Sequence, residues 1–258
     1  MEFSSKLLDN HVALITGASS GIGKATAIAL AQVGSSLALV SRNTEKLKET
    51  LEACKKVIPK ESKAKILTFQ LDMEDQEEMK KVVEEIDKEF NGVDILINSA
   101  GKGYMGDFMK NTLSEINETI TVNLQSTLIL THLILPKIVE SKKEKRAVIF
   151  ISSIAGRRAF PTSSLYDSSK YALCGFAEAL FGNIQDTGVK ICSVNPGLVR
   201  TPMVIPNFQE DKQLPYLMEA SDIANTVLFV LASPQRACPT EITILPQFKK
   251  ENFEKKKD

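Results

Sequence analysis

The sequence predicts an α/β fold in which one doubly wound parallel sheet of about seven strands carries helices on both faces. Short apolar runs rich in Val, Ile and Leu recur along the chain, and segments of helical length and period lie between them. Parallel strands read as apolar runs because both faces of their sheet are covered. The 258 residues contain no repeat or linker that would divide them. Alternation of strands and helices implies right-handed βαβ crossovers, as in a Rossmann-like domain.

Each element follows from this alternation. The expected strands are Val12–Thr16, Leu37–Ser41, Ile66–Leu71, Ile95–Asn98, Val148–Ser152, Lys190–Val194 and finally Ile242–Leu245. The expected helices are Ile22–Val33, Glu45–Val57, Gln76–Phe90, about Ser114–Glu140, Ser164–Gln185 and Asp222–Leu231. Three prolines interrupt Pro202–Ala220, which we expect to form a loop or lid over a cleft. Residues 1–248 are thus predicted to form one domain, and the charged residues 249–258 a flexible tail.

Composition argues against several functional classes. Lys and Arg together number 32, as do Asp and Glu, so no global charge favours nucleic acid or a membrane surface. The N-terminal ten residues lack the features of a signal peptide, and we see no apolar stretch of the roughly 20 residues that span a bilayer. The chain is therefore expected to be soluble and to have neither nucleic acid nor a membrane as a partner.

Four cysteines lie far apart, without a CxxC pair, and the chain has only two histidines. We therefore expect no zinc or other metal site. Most of these cysteines have apolar or helical surroundings, which favours reduced core thiols and a cytoplasmic location. The cysteines are Cys54, Cys174, Cys192 and Cys238.

A glycine-rich turn follows the first expected strand. It reads TGASSGIG over residues 16–23 and runs into a helix. Glycines let the backbone turn sharply and approach a pyrophosphate, and the helix N-terminus offers free N–H groups. The spacing differs from the GxGxxG of the dinucleotide fingerprint, and a tight strand-to-helix turn without a ligand remains the alternative. The candidate phosphate-binding residues are Gly17, Ser19, Ser20, Gly21, Ile22 and Gly23.

The residue that ends the second strand selects between dinucleotides. An acid there usually reads the ribose of NAD, whereas this chain has Ser41 and Arg42. A guanidinium pairs with a 2′-phosphate, so Arg42 favours NADP(H), with a solvated arginine as the alternative. Asp72, at the end of the third strand, is predicted either to accept from the adenine amino group or to cap the next helix.

Three polar side chains form a candidate catalytic set. Tyr166 and Lys170 lie four residues apart at the start of a helix, and therefore on one face. An ammonium stabilises phenolate, so Lys170 is expected to lower the pKa of Tyr166 from about 10 towards neutrality. Ser152 and Ser153 end a strand at the ligand-binding edge, where a hydroxyl can hold a substrate oxygen. The alternative for the two serines is a strand end and turn.

Together these motifs resemble the short-chain dehydrogenase/reductase family over about residues 10–245. The matching motifs are TGASSGIG at 16–23, NSAG at 98–101, Asn123, ISS at 151–153, YDSSK at 166–170 and NPG at 195–197. In that family the catalytic serine precedes the tyrosine by about 13 positions; 166 − 153 = 13, which favours Ser153 and leaves Ser152 as the fallback.

The resemblance implies an NADP(H)-dependent oxidoreductase that transfers hydride between the nicotinamide and a carbonyl or secondary alcohol substrate. Tyr166 would be the general acid/base, and Lys170 would lower its pKa and bind the nicotinamide ribose. Asn123 would anchor a water that relays protons to Lys170. The cofactor would also be bordered by Asn98, Gly101, Pro196, Gly197, Val199 and Thr201. The alternative is a non-catalytic NADP(H)-binding regulatory protein.

Some features depart from the family pattern or narrow it. Ser99 replaces the second Asn of the family's NNAG, and the glycine turn lacks the basic residue of some NADP-using members. The C-terminal run resembles the branch of NADP-dependent 3-hydroxy acid and serine dehydrogenases. Arg157 and Arg158 are expected either to serve an anionic substrate or to be solvated loop cations. Apolar faces on the long helices, and the family's habit, predict a homodimer or homotetramer.

Overall fold

In the computed structural model, which describes residues 3–204 and 217–248, seven parallel strands form one sheet in the order β3-β2-β1-β4-β5-β6-β7. The strands are β1 (Val12–Thr16), β2 (Ser36–Ser41), β3 (Ile66–Gln70), β4 (Ile95–Asn98), β5 (Ala147–Ile151), β6 (Lys190–Pro196) and β7 (Glu241–Ile244). The predicted fold class is confirmed. Since the order reverses between β1 and β4, a crevice forms where the carboxyl ends of these strands diverge.

Helices connect the strands on both faces. They are α1 (Gly21–Gln32), α2 (Thr44–Val57), α3 (Gln76–Phe90), α4 (Leu113–Ile120), α5 (Ser126–Glu140), α6 (Ser164–Ile184) and α7 (Ala220–Ala232). Short 3₁₀ helices, which the sequence did not indicate, occur at Phe108–Lys110, Ile154–Gly156 and Gln185–Thr187. Residues 205–216 of the expected lid and 249–258 of the expected tail lie outside the described residues.

Side chains alternate between two core layers because successive residues of a strand point to opposite faces. In β1, Ile15 packs with α1, α2 and α7, whereas Leu14 packs with α3, α5 and α6. Both side chains are fully buried. On the second face the rings of Phe150 and Phe176 meet edge-on at 5.7 Å, which ties β5 to α6. This packing fixes α6, the helix that carries Tyr166 and Lys170.

The long fourth helix of the prediction is interrupted. A π-helical turn, Thr121–Gln125, separates α4 from α5, and Ser126 Oγ donates to the Val122 carbonyl at 2.9 Å. Such turns re-aim side chains and often occur at functional sites. Nothing in the 3.6-residue period reveals it, so the single helix predicted from about Ser114 to Glu140 was wrong at this point.

The helical stretch Leu113–Glu140 also corrects the expectation about apolar stretches. It is long and apolar enough to pass a composition test for a membrane span. Core helices of soluble proteins have the same length and composition, and 44% of an 18-residue stretch of this one is buried inside the fold, where Leu130, Ile134 and Ile138 pack against the sheet. The composition of this stretch is therefore weak support for a membrane span.

Candidate active site

A cleft of about 460 Å³ opens at the edge of the sheet where β1 and β4 end. Most of the sequence-predicted site residues lie on its walls. Those residues are Gly17, Ser19, Ser20, Gly21, Ile22, Gly23, Arg42, Asp72, Gly101, Tyr166, Lys170 and Thr201. The cleft therefore joins the glycine turn to the candidate catalytic set, although 149 residues separate Gly17 from Tyr166 (166 − 17 = 149).

Close approach explains why the turn needs its glycines. Gly17 has φ +66°, and a Cβ there would lie 3.0 Å from the backbone of Ala100. A Cβ on Gly23 would lie 2.3 Å from the Gly17 carbonyl oxygen. The helix α1 begins without a side-chain cap at Ser20 and without an acid in its first turn, so its positive end is left for an anion. These features fit a dinucleotide pyrophosphate.

Polar groups cluster at the mouth of the cleft beside the turn. The hydroxyl oxygens of Ser19 and Ser41 lie 2.8 Å apart, and Arg42 Nη1 lies 3.4 Å from Asp72 Oδ2. Asp72 does not cap α3: its Oδ1 accepts from the Glu74 N–H, and Asp75 is the N-cap residue. The capping alternative for Asp72 was therefore wrong, because two aspartates three residues apart compete for one helix start.

The two adjacent serines that follow β5 have different surroundings. Ser152 is turned into the protein, where its Oγ donates to the Lys170 carbonyl at 3.3 Å and lies 3.3 Å from Cys174 Sγ. Ser153 Oγ accepts from the Ala155 N–H at 3.1 Å and is close enough to Tyr166 to lower the pKa of that phenol. Ser153 is therefore the serine close enough to affect the tyrosine, although Ser152, and not Ser153, is among the residues that line the cleft.

Burial dominates the protonation of the candidate pair. It raises the pKa of Tyr166 to about 12, against a lowering by the Ser153 hydrogen bond and with a further rise from Asp167. Burial also lowers the pKa of Lys170 to about 8, against a rise from Cys174. The predicted lowering of the tyrosine pKa by Lys170 was therefore wrong for this structure.

Geometry gives the reason. Lys170 Nζ lies 5.6 Å from the centroid of the Tyr166 ring, facing the ring, and donates to the Ile151 carbonyl at 3.0 Å. An ammonium in this position contributes little to stabilising charge on the phenol oxygen. Both side chains nevertheless line the same cleft, on consecutive turns of α6.

Asn123 projects from the π-helical turn and connects two parts of the site. Its Oδ1 accepts from the Lys102 N–H at 2.7 Å. Its Nδ2 donates to the Lys102 carbonyl at 2.8 Å and to Ser169 Oγ at 3.0 Å. Both amide protons are therefore used, and the residue is 1% exposed. Asn123 fixes the loop after β4 against α6, next to Lys170.

Four residues expected to border the cofactor do not line the cleft. The Asn98 side chain is 3% exposed and donates to Thr131 Oγ1 at 3.2 Å, within the core. Gly197 packs against Leu245 and Pro246, and Val199 is buried in the core. Pro196 ends β6 and is buried. Thr201 does reach the cleft, where its side chain faces Gly21.

Sequence reasoning missed two features of this site. Thr16 Oγ1 accepts hydrogen bonds from the N–H groups of Ser99 and Ala100, at 3.0 and 3.1 Å. Lys102 lines the cleft, and its Nζ lies 3.2 Å from Glu74 and 2.5 Å from Glu118. The contacting residues are separated by between 16 and 84 positions in the sequence, so local sequence patterns do not reveal these contacts. The one available signal was the position of Thr16 at the end of a strand.

The loop arginines are partly committed to protein partners. Arg157 makes a two-pronged pair with Glu241, at 2.7 and 2.5 Å, and Arg158 lies 5.5 Å from the centroid of the Phe160 ring. The alternative that both arginines are merely solvated cations was therefore wrong for Arg157.

Within residues 3–204 and 217–248, no group of three His, Cys, Asp or Glu side chains could hold a metal ion.

Comparisons with known proteins identify the family of this chain. Residues 11–212 match the family model described as short chain dehydrogenase. An NADP-dependent 3-hydroxy acid dehydrogenase of Schizosaccharomyces pombe is 33% identical over 248 residues, which cover 93% of each chain. This relative agrees with the branch that the C-terminal run resembles.

Two solved structures share the fold. A short chain dehydrogenase from Burkholderia cenocepacia in complex with NADP has a TM-score of 0.81 and 25% identity, covering 93% of this chain and 98% of that one. One from Mycobacterium paratuberculosis, bound to NAD, has a TM-score of 0.80 and 24% identity, covering 93% and 97%. The same fold thus accommodates either dinucleotide.

The glycine turn gives the first prediction. Gly23→Ala should lower the free energy of unfolding by about 1–3 kcal/mol and weaken dinucleotide binding, because its Cβ would collide with the Gly17 carbonyl. Gly182→Ala is the matched control, since a Cβ at that helical position meets nothing within 4 Å. Urea unfolding and NADPH fluorescence titration measure both effects. Equal behaviour of the two variants would contradict the close approach.

Proposed function

The chain belongs to the short-chain dehydrogenase/reductase family of oxidoreductases, and we propose that it transfers hydride between NADP(H) and a carbonyl or secondary alcohol substrate, with Tyr166 as general acid/base. The observation that carries the proposal is one cleft that holds both the uncapped glycine turn and the pair Tyr166 and Lys170, with Ser153 close to the tyrosine. A protein that binds the dinucleotide without turnover would need only the uncapped glycine turn.

The bound nicotinamide supplies or accepts the hydride. With a pKa of about 12, Tyr166 is protonated at neutral pH, so it can donate a proton to the carbonyl oxygen during reduction. Ser153 is next to this phenol and offers a hydroxyl to the same substrate oxygen. In the oxidative direction Tyr166 must first lose its own proton, and the phenolate then accepts the proton of the alcohol and becomes neutral again. Lys170 stabilises the phenolate before this transfer, once its ammonium turns towards the oxygen.

Lys170 also stands next to a polar site suited to a relay. A Cβ on Gly101 would lie 3.4 Å from Asn123 Oδ1 and 3.7 Å from Lys170 Nζ, so a glycine leaves room between them. Oδ1 keeps one lone pair after accepting from Lys102. We propose that a water bound there returns a proton to Lys170, whose pKa of about 8 suits exchange near neutrality.

The preference for NADP(H) is proposed from the mouth of the cleft. Arg42 lines it, and its pairing with Asp72 is long and exposed, at 3.4 Å, so little is lost when the guanidinium turns to a phosphate. The hydroxyls of Ser19 and Ser41 are close by and can donate to the same group. The relative from Schizosaccharomyces pombe is described as NADP-dependent, which supports the proposal.

Replacing the proposed proton donor gives the second prediction. Tyr166→Phe should lower kcat for NADPH-dependent carbonyl reduction by about a hundredfold or more, because general acid catalysis contributes at least that much. Ser153→Ala should also lower kcat, whereas the matched control Ser152→Ala should keep most of it. NADPH oxidation at 340 nm with a panel of carbonyl compounds measures the rates.

Binding separates this proposal from the regulatory alternative. Tyr166→Phe should bind NADPH within about threefold of the unaltered protein, since the phenol is a small part of a large contact area. The contrary outcome is that the unaltered protein and the variant bind NADPH equally but neither turns over any member of the panel. It would support the hypothesis of a regulatory protein and contradict the proposed enzyme activity for those substrates.

Cofactor selection gives the third prediction. Arg42→Ala should weaken NADPH binding by about tenfold or more, because a hydrogen bond to a charged group contributes about 1.5–3 kcal/mol. NADH binding should change less than about threefold. Arg158→Ala, which removes a loop cation that lies over Phe160, is the control. Equal losses for both dinucleotides on Arg42→Ala would remove this residue as the selector.

We further propose a cytoplasmic homodimer or homotetramer. Cys54, Cys174 and Cys192 are buried free thiols, which suits a reducing compartment. On the outer face of α6, Tyr171 is 43% exposed and a Cβ on Gly175 would meet nothing within 4 Å, so another helix can approach closely.

Sedimentation velocity supplies the fourth prediction. At micromolar concentration the unaltered chain should sediment as a dimer or tetramer. The variant Gly175→Arg should sediment as a monomer, because its long side chain occupies the outer face of α6 where another helix would pack. A monomer in the unaltered protein would contradict this proposal.

A further inference from the structure

We propose that the substrate is a neutral, apolar ketone or secondary alcohol, and that the site discriminates against one with a carboxylate separated by one methylene from the reacting carbon. This inference rests on the function proposed above and goes beyond it. It also differs from what the name of the Schizosaccharomyces pombe relative says of that protein. Two sets of observations carry it. The first is the ion pairs that the nearby cations already make, and the second is the apolar side chains near the Tyr166 ring.

Three cations line the cleft in the described part of the chain: Arg42, Lys102 and Lys170. Arg42 lies at the end of β2, where the ribose of a dinucleotide is read. Lys170 is buried and donates to the Ile151 carbonyl. It is also the lysine proposed above to act with Tyr166 in catalysis. Among these three described cations, Lys102 is therefore the one that would have to receive a substrate carboxylate.

Lys102 is held by two carboxylates. Glu74 lies 3.2 Å from its Nζ and Glu118 lies 2.5 Å from it. Glu118 also accepts from the Tyr104 hydroxyl at 2.9 Å and from Ser114 Oγ at 3.1 Å, and its pKa falls to about 2, chiefly through the Lys102 hydrogen bond. Two anions face one cation, so this side of the cleft repels a further carboxylate.

Arg157, after β5, and Arg200, after β6, are engaged in the same way. Both prongs of Arg157 bind Glu241, and Glu241 Oε1 also accepts from Asn195 at 2.8 Å. Arg200 Nε donates to Glu219 at 2.8 Å. To bind either of these two arginines, an anionic substrate would have to break the existing pair and leave its glutamate without a partner.

The wall beside Tyr166 is apolar. A Cβ on Gly103 would lie 3.3 Å from the Tyr166 ring, 3.6 Å from Met105 Cε and 3.6 Å from Met203 Sδ. Met105 is 48% exposed and Met203 39% exposed, and both lie near Gly103 on the side that meets the edge of the Tyr166 ring. Methionine adapts to apolar ligands of varied shape. Further along the same loop Phe108, Met109 and Leu113 are more than half exposed, and such apolar patches often mark binding sites.

Matched ester and acid pairs test this inference. Ethyl 3-oxobutanoate and 3-oxobutanoate, and the corresponding 3-oxohexanoate pair, are reduced with NADPH under identical conditions. We expect kcat/KM for each ester to exceed that for its acid by about tenfold or more, because the acid must lose hydration without gaining a counter-ion. An acid reduced as well as its ester would overturn the inference and leave the proposed oxidoreductase function intact.

Variants locate the discrimination. Met105→Lys places an ammonium beside Tyr166 and should reduce the ester-to-acid ratio about tenfold, whereas Met109→Lys, on the same loop but 88% exposed, should leave it unchanged. An unchanged ratio in Met105→Lys would overturn the inference, since the discrimination would then arise elsewhere. Absence of turnover for every ester, acid and neutral ketone, with Tyr166→Phe equally inert, would instead count against the proposed function.

Discussion

Where β1 and β4 end side by side, one threonine hydroxyl holds two chain segments together. Thr16 Oγ1 accepts from the N–H groups of Ser99 and Ala100, and Gly17 lies so close to Ala100 that a Cβ would be 3.0 Å away. The glycine turn and the loop after β4 therefore occupy fixed positions relative to each other. Because Asn123 clamps the same loop to α6, the constraint extends to Lys170. The proposed catalytic geometry depends on this contact.

Burial then sets the chemistry of the pair on α6. It favours the neutral form of each group, so the pKa of Tyr166 rises to about 12 and that of Lys170 falls to about 8. At neutral pH the phenol keeps its proton, and lysine remains mostly charged. This protonation suits a tyrosine that donates a proton to a carbonyl oxygen. It also suits a lysine that passes its own proton on and is then reprotonated. A charge on the phenol would instead require the ammonium to leave the Ile151 carbonyl.

Periodicity and motif spacing predicted much of this arrangement. Apolar runs located all seven strands, and the 13-residue interval selected Ser153 over Ser152, which the structure turns into the protein. What pattern could not predict depends on contacts between distant residues. The pair of Arg157 with Glu241 spans 84 positions. Asn98 sits in a cofactor motif, yet its side chain faces Thr131 in the core, because successive residues of a strand point to opposite faces.

Isotope transfer tests the central claim most directly, because it follows the hydride itself. With NADPH carrying two deuterium atoms at C4, turnover of a neutral ketone should place one deuterium on the carbinol carbon of the product, as mass spectrometry would detect. The hydroxyl proton should come from solvent by way of Tyr166. A product without deuterium at that carbon, or label in a Tyr166→Phe product at the unaltered rate, would contradict the account.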